Sequence, residues 1–228
     1  MRTIARAVIA LATTSLLVAC DDDPTGPTEF GHIRAVHAVA DVANMDVLIN
    51  NTTYKTDLAF KANDGYDEVS TGTNSVKFRE ADATTNLHSA NVTVTNGARY
   101  TVVAIGTKAA PQSFVLTDDD AAPAAGKTKL RLAHGAASIG AVDMYVLANA
   151  DELANATPVA SNIAAKSASP YVVRDAGTFV VIYTTTGTKT PVLTISNLQR
   201  AAGTVGTIIA VEKSGGGQPL ESVLLADK

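Results

Sequence analysis

RAVHAVADVANMDVLI, from Arg34 to Ile49, is written a second time as RLAHGAASIGAVDMYV, from Arg131 to Val146. Arg34, His37 and Asp46 precede Arg131, His134 and Asp143 by a constant 97 residues, so no gap separates the copies here. Further on, Lys61, Tyr66 and Gly72 match Lys166, Tyr171 and Gly177 at an offset of 105. The extra length of the second copy falls in NADELANATP, which begins at Asn149 and reads as a longer hairpin loop. GARYTVVAIG from Gly97 lines up with GTVGTIIAVE from Gly203, and SFVLTDD from Ser113 with SVLLAD from Ser222, so both copies run their full length.

Between these landmarks lie short runs rich in Val, Ile, Thr and Tyr, such as SVKFR, NVTVT, YTVVAIG, TFVVIYTTT and TIIAVE, bounded by Gly, Asn, Asp and Pro. That spacing predicts an all-β chain of two tandem immunoglobulin-like β-sandwich repeats, residues 32–120 and 128–228, joined by the linker 121–127, AAPAAGK. Only DELANAT suggests a helical turn. Side chains alternate along a strand, so IRAVH sets Ile33, Ala35 and His37 on one face and Arg34 and Val36 on the other. Leu130, Leu132 and His134 repeat the arrangement.

The chain opens MRTIARAVIALATTSLLVAC, with Arg2 and Arg6 ahead of an apolar run too short to span a bilayer comfortably. Residues 1–19 therefore read as a secretory signal peptide. Cys20 is the only cysteine, and Leu17, Val18, Ala19 and Cys20 resemble the lipobox of bacterial lipoproteins. That resemblance implies a diacylglyceryl group on the Cys20 thiol and cleavage before it. Residues 20–31, with three aspartates, Pro24, Gly26 and Pro27, read as a flexible tether. The expected location is a bacterial cell envelope, with the outer membrane or cell surface favoured and the periplasmic face of the inner membrane possible.

With 18 basic against 22 acidic residues the chain carries a formal charge of −4, and loss of Arg2 and Arg6 makes it more acidic still. Nucleic-acid binders need clustered Lys and Arg, so that partner class is set aside. The absence of Trp and an aromatic content of 5% argue against a surface built for stacking sugars. Stability must come from apolar burial, since one cysteine cannot form an intramolecular disulfide.

The order of R-x-x-H-A, x-V-D-x-Y-V, a Tyr before a Gly-containing turn, Y-T-V-x-A-x-G and a closing V-L-T-D-D resembles the bacterial domain-of-unknown-function 4397 family. The resemblance covers nearly all of the mature chain. It implies an exported or surface-attached protein, commonly in tandem copies, with no activity established for the family as a class. The family's Ser-Pro-Asp after the His is replaced here by Val39, Ala40, Asp41 and by Ala136, Ala137, Ser138, which puts the local turn in question.

The repeated Arg, His and Asp read as scaffold: His37 and His134 close apolar rows, each with a nitrogen free for a backbone carbonyl or for Asp46 or Asp143. The catalytic alternative, a hydrolase using His37 or His134, needs a nucleophile, and GAASIG lacks the serine spacing of a nucleophile elbow. The four histidines, His32, His37, His88 and His134, are scattered, so neither a metal nor a cofactor is expected. Asp118, Asp119 and Asp120 lack calcium-loop spacing and read as a solvated turn. The expected role is non-catalytic, structural or interactive, with the lengthened NADELANATP loop as the default place for a ligand. The alternative is a bivalent binding module for a polysaccharide or an envelope protein.

Overall fold

The computed structural model describes residues 29–228; the expected signal peptide, Cys20 and most of the tether lie outside the described residues. The described chain is all-β. Its first half contains β1 (Phe30–Val39), β2 (Asn44–Ile49), β3 (Thr52–Ala59), β4 (Asp67–Ser70), β5 (Gly72–Glu80), β6 (His88–Val94), β7 (Arg99–Thr107) and β8 (Ala110–Asp118). Its second half contains β9 (Lys127–His134), β10 (Val142–Leu147), a 3-10 turn (Ala150–Asn155), β11 (Ala160–Ile163), β12 (Ser167–Ala168), β13 (Val172–Asp175), β14 (Gly177–Thr185), β15 (Pro191–Arg200), β16 (Val205–Val211) and β17 (Glu221–Ala226).

Four sheets result: β4-β1-β7-β8 and β3-β2-β5-β6 in the first half, β12-β9-β16-β17 with β13 also on β9, and β11-β10-β14-β15 in the second. Most pairs are antiparallel, but β1 runs parallel to β7 and β9 parallel to β16. The face of β1 that carries Ile33 and Ala35 packs on Met45, Val47, Phe78 and Val92 of the opposite sheet. In the second half Leu130 and Leu132 meet Met144, Val181, Tyr183 and Leu193 in the same way.

The other face of β1 is buried as well. Val36 and Ala38, with Val103, Ile105, Phe114 and Leu116, pack against Ala133, Ile209, Val211, Val223 and Leu225. The β1 and β9 sheets therefore lie face to face, and the molecule is a stack of four layers with a third core between the halves. Burial on both faces accounts for the parallel strands' near-continuous apolar runs, YTVVAIG and TIIAVE, where a half-exposed strand would alternate.

The repeated Asp has a local task. Asp57 and Asn162 sit at bulges with φ of 55° and 54°. Asp46 Oδ1 accepts the N–H of Asp57 at 3.2 Å, and Asp143 Oδ1 that of Asn162 at 2.8 Å. Each carboxylate pins a left-handed residue, a backbone state that Asp and Asn tolerate better than most. The β2–β3 connection is a two-residue turn at Asn50 and Asn51, both with positive φ, which suits the twist of a hairpin.

Candidate functional site

Both copies of the Arg, His and Asp pattern are consumed by the fold, and how they are consumed defines the centre of the molecule. Arg34 lies in the layer between the halves, 2% exposed, and its guanidinium crosses to the second half. Nη2 donates to Asp227 Oδ1 at 2.7 Å and Nη1 to the carbonyl of Ala226 at 2.7 Å, while Nε donates to Thr101 Oγ1 at 3.1 Å. Arg131 mirrors it with the halves exchanged. Nη2 donates to Asp118 Oδ1, Nη1 to the carbonyl of Thr117 at 2.8 Å, and Nε to Thr207 Oγ1 at 3.0 Å.

The acceptors are supported in the same paired fashion. Asp118 Oδ2 accepts the hydroxyls of Thr101 and, at 2.9 Å, Tyr66; Asp227 Oδ2 accepts those of Thr207 at 2.7 Å and Tyr171 at 2.8 Å. The Tyr66 and Tyr171 rings also lie under the guanidinium groups of Arg34 and Arg131, 4.5 and 4.6 Å from centroid to Cζ. Burial, first among the causes, pushes both phenols above their ordinary range. The arrangement is a closed charge lattice with pseudo-twofold symmetry. Because its side chains are buried and bonded to one another, it binds the halves together and offers nothing to an external ligand.

Asp118 is thus corrected. The run Asp118 to Asp120 reads from sequence as a solvated turn, but Asp118 ends β8 with its side chain fully buried against the arginines. Asp119 bonds Lys129 at 2.6 Å and Asp120 pairs with Arg99 at 3.3 Å.

The histidines take the backbone-carbonyl option. His37 is buried, packed edge-on against Phe60, with Nε2 2.9 Å from the carbonyl of Val42 and Nδ1 accepting the Val39 N–H at 3.2 Å. These contacts select the neutral tautomer with the proton on Nε2. Desolvation lowers its pKa to about 4, only partly opposed by the bond to Val42. His134 shares the carbonyl contact, to Gly140 at 3.0 Å, and a pKa lowered by the same burial, but its buried Nδ1 has no hydrogen-bond partner among the described residues. With both nitrogens engaged, His37 has none available to take a proton from a nucleophile. His88 instead bonds Ser113 at 2.9 Å, and His32 lies on β1 opposite Glu68. Among the described residues no three His, Cys, Asp or Glu side chains gather as a metal-holding group.

The long loop of the second copy, expected as the default place for a ligand, also has a structural task. Its 3-10 turn lays Leu153 over the outer face of the β10–β14 sheet, covering Tyr145, Leu147, Val180 and Ile182. The equivalent first-copy positions Ser75 and Lys77 are polar, so that face needs no cover. Lys189 clamps the loop: its Nζ donates to the carbonyl of Ala156 at 2.5 Å and stands 4.5 Å from the Tyr145 ring centroid. The extra residues stabilise a fourth apolar cluster.

Open clefts remain, among them one of about 440 Å³ in the second half lined by Gly177, Thr178, Gln199, Arg200 and Ala201. Another of about 310 Å³, also within the second half, is lined by Ile139, Gly140, Thr185 and Val192, and one of about 220 Å³ lies where the halves adjoin, lined by Thr107 and Gln112 of the first half and Glu212 of the second. Ser138 borders the latter two. Sequence reading passed over Glu212; the available signal was that its first-copy counterpart in the GARYTVVAIG alignment is Gly106, so this carboxylate occurs once.

Comparison with known proteins adds a family. The model of a family described as a domain of unknown function, DUF4397, matches residues 31–145. Among curated proteins none matches the chain. A solved structure of a leucine-rich repeat protein from Bacteroides thetaiotaomicron is similar at 15% identity, the alignment covering 79% of this chain and 26% of that one with a TM-score of 0.22. The chain thus spans about a quarter of that protein's length, and so low a score carries no argument.

Proposed function

The chain belongs to the DUF4397 family, a domain of unknown function, and from that premise we propose a non-catalytic protein held at a bacterial cell envelope by a lipid on Cys20. Its body serves there as a structural or interaction element, and its partners are the membrane, through the anchor, and an envelope protein or polysaccharide. The observation that carries the anchor is the run Leu17, Val18, Ala19, Cys20 directly after an apolar stretch headed by two arginines. Two acyl chains give stable attachment where one gives only marginal binding, at about 0.8 kcal/mol per buried methylene. The absence of catalysis is supported by the fate of the polar residues most suited to chemistry: Arg34, Arg131 and His37 are all fully occupied within the fold.

Growth of cells expressing the protein with an alkyne-bearing fatty acid tests this reading. The wild-type chain should carry the label and sediment with membranes, and Cys20→Ala should lose the label and accumulate as unprocessed precursor. Equal labelling of the two, or an unlabelled wild type released to the medium, would sink the anchor. The non-catalytic part is tested by an ester and glycoside panel, where turnover abolished by His134→Gln in a still-folded protein would overturn it.

A further inference from the structure

We infer that the cleft at the junction of the halves, centred on Glu212, binds a primary ammonium group. Glu212 follows β16 and is only 5% exposed. Its Oε1 accepts the N–H of Ser138 at 2.8 Å. Among the described residues Oε2 has no hydrogen-bond partner, and no Lys, Arg or His lies within ion-pair distance of the carboxylate. Asp118 and Asp227 are met by arginines, Asp46 by Arg79 at 2.7 Å, and Asp143 by the N–H groups of Asn162 and Gly187, while Asp64 and Asp67, whose Oδ2 atoms are also buried without a partner, are pushed towards the neutral acid by burial. Oε2 of Glu212 is reached by solvent on the wall of an open cleft, where it carries a charge that no side chain of the fold neutralises and that a cation can meet.

Symmetry separates this residue from the scaffold. The structural polar groups come in pairs, Arg34 with Arg131, Thr101 with Thr207, Tyr66 with Tyr171, Asp118 with Asp227 and His37 with His134. Glu212 has no such partner. At the matching position Gly106 has φ of 86°, and a Cβ there would stand 2.6 Å from the carbonyl oxygen of Ala110. The first copy therefore cannot carry a side chain at this point without moving β8, and a single acidic group faces the cleft.

The geometry also selects the kind of cation. A guanidinium prefers to engage both oxygens of a carboxylate, but Ser138 already holds Oε1. Calcium takes six to eight oxygen ligands, commonly from several carboxylates, and here there is one. An ammonium needs one strong acceptor and two weaker ones, which Oε2 and the polar side chains of Thr107, Ser138 and Gln112 on the cleft wall supply. The methyl groups of Ala110 and Ala137 border the same space and suit an alkyl stem. The amine can belong to a free diamine or to a lysine side chain.

Titration of the intact protein, followed by amide chemical shifts, tests the inference with 1,5-diaminopentane and with a lysine blocked at both α-groups. Saturable shifts at Ser138 and Thr107 are expected for the amines at millimolar concentration and not for 1-pentanol at the same level, and the tighter of the two probes identifies the source. Glu212→Gln keeps an acceptor for Ser138 and should weaken binding about ten-fold or more, the loss expected when a hydrogen bond ceases to be charge-assisted. Ala110→Leu, which fills the cleft from an exposed strand end, should abolish binding should the first variant fold poorly. No saturable shift in the wild type, undiminished binding in both variants, or calcium acting on the same amides in place of the amines would overturn it.

Discussion

Replacing Arg131 by alanine is expected to cost about 3–5 kcal/mol, the penalty of leaving a buried carboxylate without its counter-charge. At the size of this chain that corresponds to a fall of roughly 6–20 °C in the unfolding midpoint. Arg131 provides Asp118 with its one direct guanidinium bond, since Arg34 stands 3.7 Å away and is committed to Asp227 at 2.7 Å. The loss also frees the carbonyl of Thr117. If the uncompensated charge is the cause, adding Asp118→Asn should restore about half of the loss, because the amide oxygen still accepts from Thr101 and Tyr66 while the charge is gone. Thermal unfolding of the three proteins decides it. Further destabilisation by the second substitution would show that packing, rather than charge, holds the halves together.

Stability should vary little between pH 4 and 6.5, and that flatness should hide two opposed slopes of about 3 kcal/mol or more each. His37 has its folded pKa lowered from 6.5 to about 4, chiefly by desolvation. The unfolded state then binds the extra proton, so stability present above pH 6.5 is lost as pH falls towards 4. Asp64 goes the other way. Its pKa is raised from 3.8 to about 7, first by desolvation and then by the charge of Asp67, and opposed by the Ala35 N–H that it accepts at 2.6 Å. Here the folded state holds the proton, so stability present below pH 4 is lost as pH rises towards 7. Asp67 shifts upward and His134 downward through the same burial, each reinforcing its own side.

Asp64→Asn separates the two. The amide oxygen can still accept from Ala35, and the variant should gain about 3–4 kcal/mol over wild type at pH 8. Its stability should climb with pH from about 4 to 6.5, where the histidines outweigh the remaining upward-shifted carboxyl of Asp67. Urea unfolding at half-unit intervals of pH measures both curves. A variant curve parallel to that of the wild type would remove Asp64 from the account.

Much of this was legible in the residues themselves. The alternation in IRAVH and KLRLAH divides Ile33 and Ala35 from Arg34 and Val36, and the structure sends the two sets to different cores. The backbone-carbonyl partner of His37 was among the readings that its place in an apolar row allowed. Periodicity, however, says which side chains share a face and not what that face meets. The stacking of the halves was therefore invisible except as the unbroken apolar runs YTVVAIG and TIIAVE. The exchange of arginines was hidden for a different reason: Arg34 with Asp118 and Arg34 with Asp227 fit the same repeat spacing, and only the three-dimensional arrangement distinguishes them. The 3-10 turn over Leu153's cluster could have been suspected from Val180 and Ile182, which replace Ser75 and Lys77 of the first copy.

The exchanged ion pairs also set an order of events during folding. Arg34 and Asp227 are 193 positions apart, and Arg34 already needs Thr101, 67 positions away, to be oriented. Closing such long stretches of chain costs entropy before any contact offsets it, so these pairs form after the local hairpins and after each half has collapsed. Until then four opposite charges stand on two apolar sheet faces and discourage either face from docking on the wrong surface. The lattice then acts as a late checkpoint, and substitutions at Arg34 or Arg131 should speed unfolding while leaving the folding rate nearly unchanged, a partition that stopped-flow kinetics can read directly.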